Sequence, residues 1–423
     1  QSVQEAGNQP EQGVGQAVQG PLWKMKWKEL TPPDSSLQSL SSFAQNCLFC
    51  GVPKEHMSAF RSLLKSSNMG DAGVVESGGI QPETPLPSLA SGRIDCVIFA
   101  GGLWMSSTPT VCLEELRTVL LSYSRSAQTD QGFSPTFCVI VSCSSSAFGI
   151  TAQHNHSKQG VDADIRQAGL LGMCRTSRLE IQRLCKKPFP MIYVNVEEYS
   201  LGCLSKAWSW ISTQRTLLND KLFSLVEEDI IITNNCHLAP RLQQVATPQS
   251  RTRVVITSAK SYVVTGGTGG LGVSVSQWLL NRGAGFVALL SRSGKPATAL
   301  QQTPAWKTVE EGINAGRAAI MLCDVKDAQH LRHTLSRIHE SIPIGGIFHC
   351  AGYEGQPSLL DSSLKSIECV FEPKAYGAWN LHLACQALDV ERGLGMFVLF
   401  LSISGIPGND ALATYAAANA YID

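Results

Sequence analysis

The sequence predicts an α/β protein built from two doubly wound parallel-sheet halves, on three observations. Short apolar runs alternate with helical stretches along most of the chain, the order that produces a parallel sheet. The alternation stops at a polar stretch, QQVATPQSRTR at residues 243–253, and restarts at Val254. A glycine cluster, TGGTGGLG at residues 265–272, follows a strand and opens a helix only in the second half.

The elements follow in order. Residues 1–21 are rich in Gln and Gly, poor in large apolar residues, and read as a linker rather than a secretory signal. LWKMKWKEL, residues 22–30, alternates: Trp23, Met25 and Trp27 point one way and Lys24, Lys26 and Lys28 the other, as in a half-buried strand. Residues 69–92 carry the Pro, Gly and Ser of a long loop. DCVIFAGG (95–102), TFCVIVSCSSS (136–146) and PMIYVNV (190–196) read as buried strands, with helices around 111–124 and 163–182. This half, residues 22–245, carries no glycine fingerprint, so the expectation is a degenerate, structural domain that binds no dinucleotide.

After a linker at 246–253, residues 254–423 form the expected cofactor-binding half. Its strands are SYVVT, GFVALLS, AAIMLCDV, IGGIFHCAG and GMFVLFLS, and its first helix, VSVSQWLLNRG, is closed by Gly283. A long helix begins near Asp361 and runs through VFEPKAYGAWNLHLACQAL. Both halves are therefore Rossmann-like, with a ligand expected at the carboxyl ends of the second set of strands.

Composition narrows the function. Of 423 residues 43% are hydrophobic, enough for a full core, and only 16% are charged. Lys+Arg equals Asp+Glu at 34 each, which argues against an electrostatic track for nucleic acid. No apolar run reaches the ~20 residues a membrane-spanning helix needs. The 14 scattered cysteines suggest a reducing compartment, with a cytoplasmic location expected. Cys47 and Cys50 form a CxxC without a second ligand pair, so they read as buried thiols and no metal is expected. His154 and His156 read as part of a solvated loop.

The chemistry-bearing residues cluster in the second half. Without side chains, Gly266, Gly267, Gly269 and Gly270 let the backbone turn tightly and approach a pyrophosphate, with Thr268 and Leu271 in the same loop and Gly272 letting the helix sit close. Twenty residues past Gly272, where an NAD site usually has Asp or Glu, the sequence has Ser291, Arg292 and Ser293. A guanidinium there suits a 2′-phosphate, so NADPH is expected. Cys323, Asp324 and Val325 end the third strand beside the expected adenine, with Asp324 placed to accept its amino group; Ala351 and Gly352 end the fourth. Ser402 ends the fifth strand, Tyr415 follows by 13 residues, and Asn419 stands one helical turn further on. Carbonyl reduction needs a proton donor beside the hydride donor. A tyrosine's ordinary pKa is about 10, so a nearby cation is wanted, and the candidate is Lys374 on the preceding helix. Ser404 competes with Ser402, but the spacing favours Ser402. His349 and Cys350 read as filling the end of the fourth strand.

VTGGTGGLG, LLSRSG, HCAG, PKAYGAWNLH and YAAANAYID resemble the ketoreductase domains of type I polyketide synthases and the related animal-type fatty acid synthases, atypical short-chain reductases in which lysine and asparagine have exchanged helices. The first half, with LWKMKWKEL and QAGLLGMCRTSRLE, resembles that family's structural subdomain. The resemblance implies that Tyr415 donates the proton, Ser402 bonds the carbonyl oxygen, Lys374 eases proton release and holds a cofactor ribose, and Asn419 orders the polar network. It implies NADPH, a β-ketoacyl substrate on an acyl carrier protein, and neighbouring synthase domains in the same polypeptide. Two features depart from the family. The Leu-Asp-Asp triplet of one stereochemical class is missing after HCAG, and Pro407 stands where the other class has tryptophan. Family members also continue into two more strands and a lid helix, so the catalytic half is expected to be incomplete at Asp423. The competing expectations are a silent scaffold domain of such a synthase and a nucleotide-sugar epimerase or dehydratase.

Overall fold

The computed structural model describes residues 22–30, 44–87, 89, 94–104, 108–128, 137–143, 168–185, 190–219, 226–245, 255–353 and 358–423. The expected linkers, the His154–His156 stretch, the start of the 163–182 helix, and the alternation of Trp23, Met25 and Trp27 lie outside the described residues and side chains.

The first half runs β1 (Leu22–Leu30), β2 (Cys47–Val52), α1 (Met57–Ser66), β3 (Gly73–Glu76), β4 (Cys96–Gly102), α2 (Pro109–Gln128), β5 (Phe137–Cys143), α3 (Ala168–Cys185), β6 (Met191–Val196), α4 (Leu201–Asn219), β7 (Asp229–Ile232) and β8 (His237–Val245). The second runs β9 (Ser261–Thr265), α5 (Gly270–Asn281), β10 (Phe286–Ser291), α6 (Thr298–Gln301), α7 (Pro304–Asn314), β11 (Ala318–Leu322), α8 (Ala328–Ser341), β12 (Ile344–His349), α9 (Leu364–Phe371), α10 (Gly377–Ala387), β13 (Met396–Leu399) and α11 (Ala413–Ile422).

The strands form an eight-stranded sheet ordered β1-β8-β7-β6-β5-β4-β2-β3 and a five-stranded sheet ordered β11-β10-β9-β12-β13. Every pairing in the second sheet is parallel. The first sheet is parallel from β3 to β7, but β8 joins β7 antiparallel and β1 joins β8 antiparallel. The sheet is therefore mixed: β7 and β8 are joined by a tight turn with no helix between them, which forces an antiparallel return. The stretch 69–92, expected as loop, contains the edge strand β3, whose Val74 and Val75 are half-buried.

Local chemistry explains the second half. Gly283 adopts φ +85°, and the amides of Gly283 and Ala284 return to the Leu280 and Leu279 carbonyls, closing α5 with a Schellman turn. Asp327 caps α8 through the His330 amide, and Ser363 and Ser366 form a reciprocal capping box at α9. The long helix expected after Asp361 is interrupted. Between α9 and α10, Glu372–Tyr376 winds as a π turn, where Pro373 has no amide hydrogen to donate to the preceding turn. Cys47 and Cys50 are buried thiols within β2.

The two halves share a core. Leu113, Leu170, Met173 and Cys174 of the first pack in one cluster with Phe371, Ala413, Ala417 and Ala418 of the second. α3 and α11 approach so closely that a Cβ on Gly172 would stand 2.2 Å from the Ala416 carbonyl oxygen. The helix carrying Tyr415 and Asn419 is thus seated on the first half.

Candidate active site

A cavity of about 820 Å3 lies at the carboxyl ends of β9, β10 and β12, at the switch point of the second sheet. Its floor is the glycine loop. Gly266 adopts φ +61°, and a Cβ there would stand 2.9 Å from Ala351. Gly267 does not line the cavity: a Cβ would meet Leu289 at 2.6 Å, so this position packs the loop on β10 rather than facing a ligand. Gly269 and Gly270 line the cavity, an added Cβ standing 3.3 Å from the Gly266 oxygen at the first and meeting only Leu300 at 3.9 Å at the second, and no side chain caps α5. Its first amides are therefore available to an anion. Gly272 sits against the loop itself, with an added Cβ only 2.2 Å from the Gly266 oxygen.

Thr268 hydrogen-bonds Ser291 at 2.7 Å, and Ser291 reaches Ser293 at 3.2 Å, tying the loop to the end of β10. Ser291 is thereby a buried staple, whereas Ser293 and Arg292 are exposed at the rim. Among the described residues Arg292 has no ion pair or hydrogen bond; Lys326, near enough for its charge to feel Arg292, is taken up by Glu372 at 3.2 Å. Asp324 lines the cavity while its Oδ1 accepts the Lys326 amide at 3.1 Å. Leu271, Cys323, Val325, Ala351 and Gly352 also line it. The observations fit a dinucleotide phosphate: an uncapped helix start, glycines whose Cβ positions are open or sterically barred, and one unpaired guanidinium at the rim.

At the other end, the π turn directs Lys374 inward. Its Nζ donates to the Phe400 carbonyl at 2.8 Å and stands 5.4 Å from the centre of the Tyr415 ring, within cation–π range. Burial lowers the Lys374 pKa from its ordinary value, and the nearby Cys350 opposes that. Lys374 and Tyr415 line the cavity; Ser402 does not, but stands one residue past Leu401, which does. Asn419 is buried, with both ends of its amide engaged: Oδ1 accepts the Ser402 amide at 2.7 Å and Nδ2 donates to the Tyr415 carbonyl at 2.7 Å. It works as a strut between the residues expected to act. Ser404 lies behind, its hydroxyl donating to Ser402 Oγ at 2.9 Å.

His349 does more than fill a strand end. Its ring joins Thr265 Oγ1 at 2.7 Å and the Lys374 carbonyl at 2.9 Å. Burial lowers its pKa to about 4, so the ring is neutral, with Nε2–H donating to the Lys374 carbonyl, which also accepts the Gly377 amide. Sequence reading missed this role, and it also missed Phe400, which acts through its backbone and so leaves no side-chain signal.

Residues 260–423 match the family model described as the KR domain. The second half thus matches the KR family, and the curated relatives that align with the chain include polyketide synthases. Among curated relatives, the chain is 38% identical over 164 residues to the hybrid PKS-NRPS synthetase pyvA of Aspergillus violaceofuscus, covering 39% of this chain and 4% of that protein. It is 34% identical over 197 residues to the polyketide synthase GfsA of Streptomyces halstedii, covering 47% of this chain and 2% of that one. The chain thus spans a small fraction of the length of these relatives. Among solved structures, an A1-type ketoreductase aligns with 94% of this chain and 78% of its own, at TM-score 0.66 and 22% identity. A C2-type ketoreductase from a modular polyketide synthase aligns with 95% and 79%, at TM-score 0.66 and 18% identity. These likenesses take in both sheets, so the fold of the first half accompanies the KR domain in the relatives' structures too.

Proposed function

We propose that the chain reduces a β-ketoacyl thioester, presented by an acyl carrier protein, to the β-hydroxyacyl thioester within a polyketide synthase, using NADPH. The observation that carries this reading is the Lys374 ammonium held over the Tyr415 ring at the wall of the glycine-loop cavity. When bound, NADPH supplies the hydride. The first amides of α5 would hold its pyrophosphate and Arg292 its 2′-phosphate, the exposed guanidinium favouring NADPH over NADH. Tyr415 gives its proton to the carbonyl oxygen, and the buried cation beside the ring stabilises the anion left behind. Ser402, its hydroxyl oriented by Ser404 and its amide held by Asn419, supports the same oxygen. Multidomain relatives such as the hybrid synthetase support neighbouring domains in the parent polypeptide as partners.

The test is NADPH oxidation with a small soluble β-ketoacyl thioester, read together with the hydroxyacyl product by mass spectrometry. Tyr415→Phe and Lys374→Met are each expected to lower kcat by about 10²- to 10⁴-fold, the usual worth of a positioned acid. Because burial lowers the Lys374 pKa, the wild-type rate should fall on the alkaline side at a pH below that of an ordinary lysine. A chain that binds NADPH tightly and forms no product refutes the reading and leaves a scaffold.

A further inference from the structure

The turn that carries Ser402 is fixed at both ends. Its first amide, from Ser402, is taken by Asn419, and the Gly405 amide closes the turn on the Ser402 carbonyl at 3.2 Å. The Gly405 carbonyl is taken from far away in sequence. Arg175, on α3 of the first half, donates Nη1 to it at 2.8 Å. The same guanidinium is locked from behind by Asp229 at the start of β7, Nε to Oδ2 at 2.9 Å, and Arg175 is buried at 7% exposure. Asp229 stays ionised: burial works against it, but Arg178 and Arg175 outweigh that and hold its carboxyl below the usual range. A planar fork fixed through one nitrogen aims its others in a set direction, and here that direction is the catalytic turn. The rest of the segment lies on the same helix. Thr176 Oγ1 accepts the Asn409 amide at 3.2 Å, and Gly408, at φ +79°, passes so close that a Cβ would stand 2.6 Å from the Arg175 carbonyl oxygen.

We infer that Arg175 is a positioning residue for the reduction, a clamp contributed by the first half that fixes the Ser402–Gly405 turn and through it the Ser402 hydroxyl. The inference rests on the reductase reading for its kinetic consequence but on geometry alone for the clamp. Arg175→Lys separates the two roles. It keeps a cation beside Asp229, which Arg178 also holds, but a single ammonium cannot bond Asp229 and Gly405 in the arrangement of the fork.

In the full 423-residue chain, Arg175→Lys is expected to lower kcat by about 10- to 100-fold, the scale of an ångström-sized misplacement. NADPH affinity should be unchanged. Hydrogen exchange should quicken at the amides of Ser402, Gly405 and Asn409 while β9 and β10 stay as protected as in the wild type. Arg175→Met should show the same pattern more strongly. Wild-type kcat with unchanged exchange in Arg175→Lys overturns the inference. So does a loss of rate that comes with weaker NADPH binding or faster exchange across β9 and β10, because that is general loosening. If the wild-type chain reduces nothing, the reductase reading falls, and the exchange at the turn still decides whether the clamp exists.

Discussion

Held between Thr265 and the Lys374 carbonyl, the His349 imidazole costs the fold something in acid. Its pKa is lowered to about 4 from an ordinary 6.5, chiefly by burial. Above pH 6.5 the ring is neutral in both folded and unfolded chains and nothing changes. Below it the unfolded chain takes up a proton that the folded one refuses, so stability falls as the pH drops from 6.5 toward 4. That span corresponds to roughly 3 kcal/mol, and His349→Gln should remove about that much of the acid-side slope in denaturant unfolding. An equal slope in the variant would show that the ring titrates normally. At the opposite end of the cavity, Arg292→Ala should raise the KM for NADPH by about 10- to 100-fold, the worth of a charge-assisted hydrogen bond. The KM for NADH should hardly move; parallel losses for both cofactors would place the 2′-phosphate elsewhere.

Among the elements, the interrupted helix and the α3–α11 contact decide the geometry. A straight α-helix through residues 364–387 would turn Lys374 to a different face; the π turn at Pro373 directs the amine to Phe400 and Tyr415, while the Lys374 carbonyl meets His349. Apolar periodicity identifies the helix, but a single proline is the only mark of the turn, and a proline alone does not distinguish a π turn from a kink. At the other contact, Gly172 has no space for a methyl group against the Ala416 backbone. Gly172→Ala should destabilise the chain by about 1–3 kcal/mol, and because α11 carries Tyr415 and Asn419, it should lower kcat as well. A melting temperature equal to wild type would mean that the two helices part without cost.

On the scale of the molecule, a shared core makes two sheets one folding problem. Residues from both halves fill the cluster around Leu113, Met173, Phe371 and Ala418, and Arg175 and Arg183 reach across to Gly405 and Asp410. The halves should therefore unfold together. In a denaturant series, Cys50 and Cys138 of the first half and Cys323 and Cys385 of the second, all buried, should become reactive to a thiol reagent at one midpoint. Two separated midpoints would show that the halves are independent.

Much of this was legible in the residues. Period-two and period-3.6 patterns with glycine stops mark most strands and helices, because local backbone preference and one-sided burial act over a few residues. TGGTGGLG, LSRSG and the spacing of Ser402, Tyr415 and Asn419 are likewise local, and most of those residues meet at one cavity. The antiparallel return of β8 and β1, the edge strand β3, Gly267 packing on β10, and the roles of His349 and Arg175 were not legible. Apart from the tight turn that returns β8 beside β7, each depends on a partner tens to hundreds of residues away, often a backbone carbonyl that carries no side-chain identity. The sequence by itself determined most of the elements and the residue types of the candidate site; only the tertiary structure decided which buried groups hold those residues in place, because packing and hydrogen-bond geometry exist only once distant segments touch.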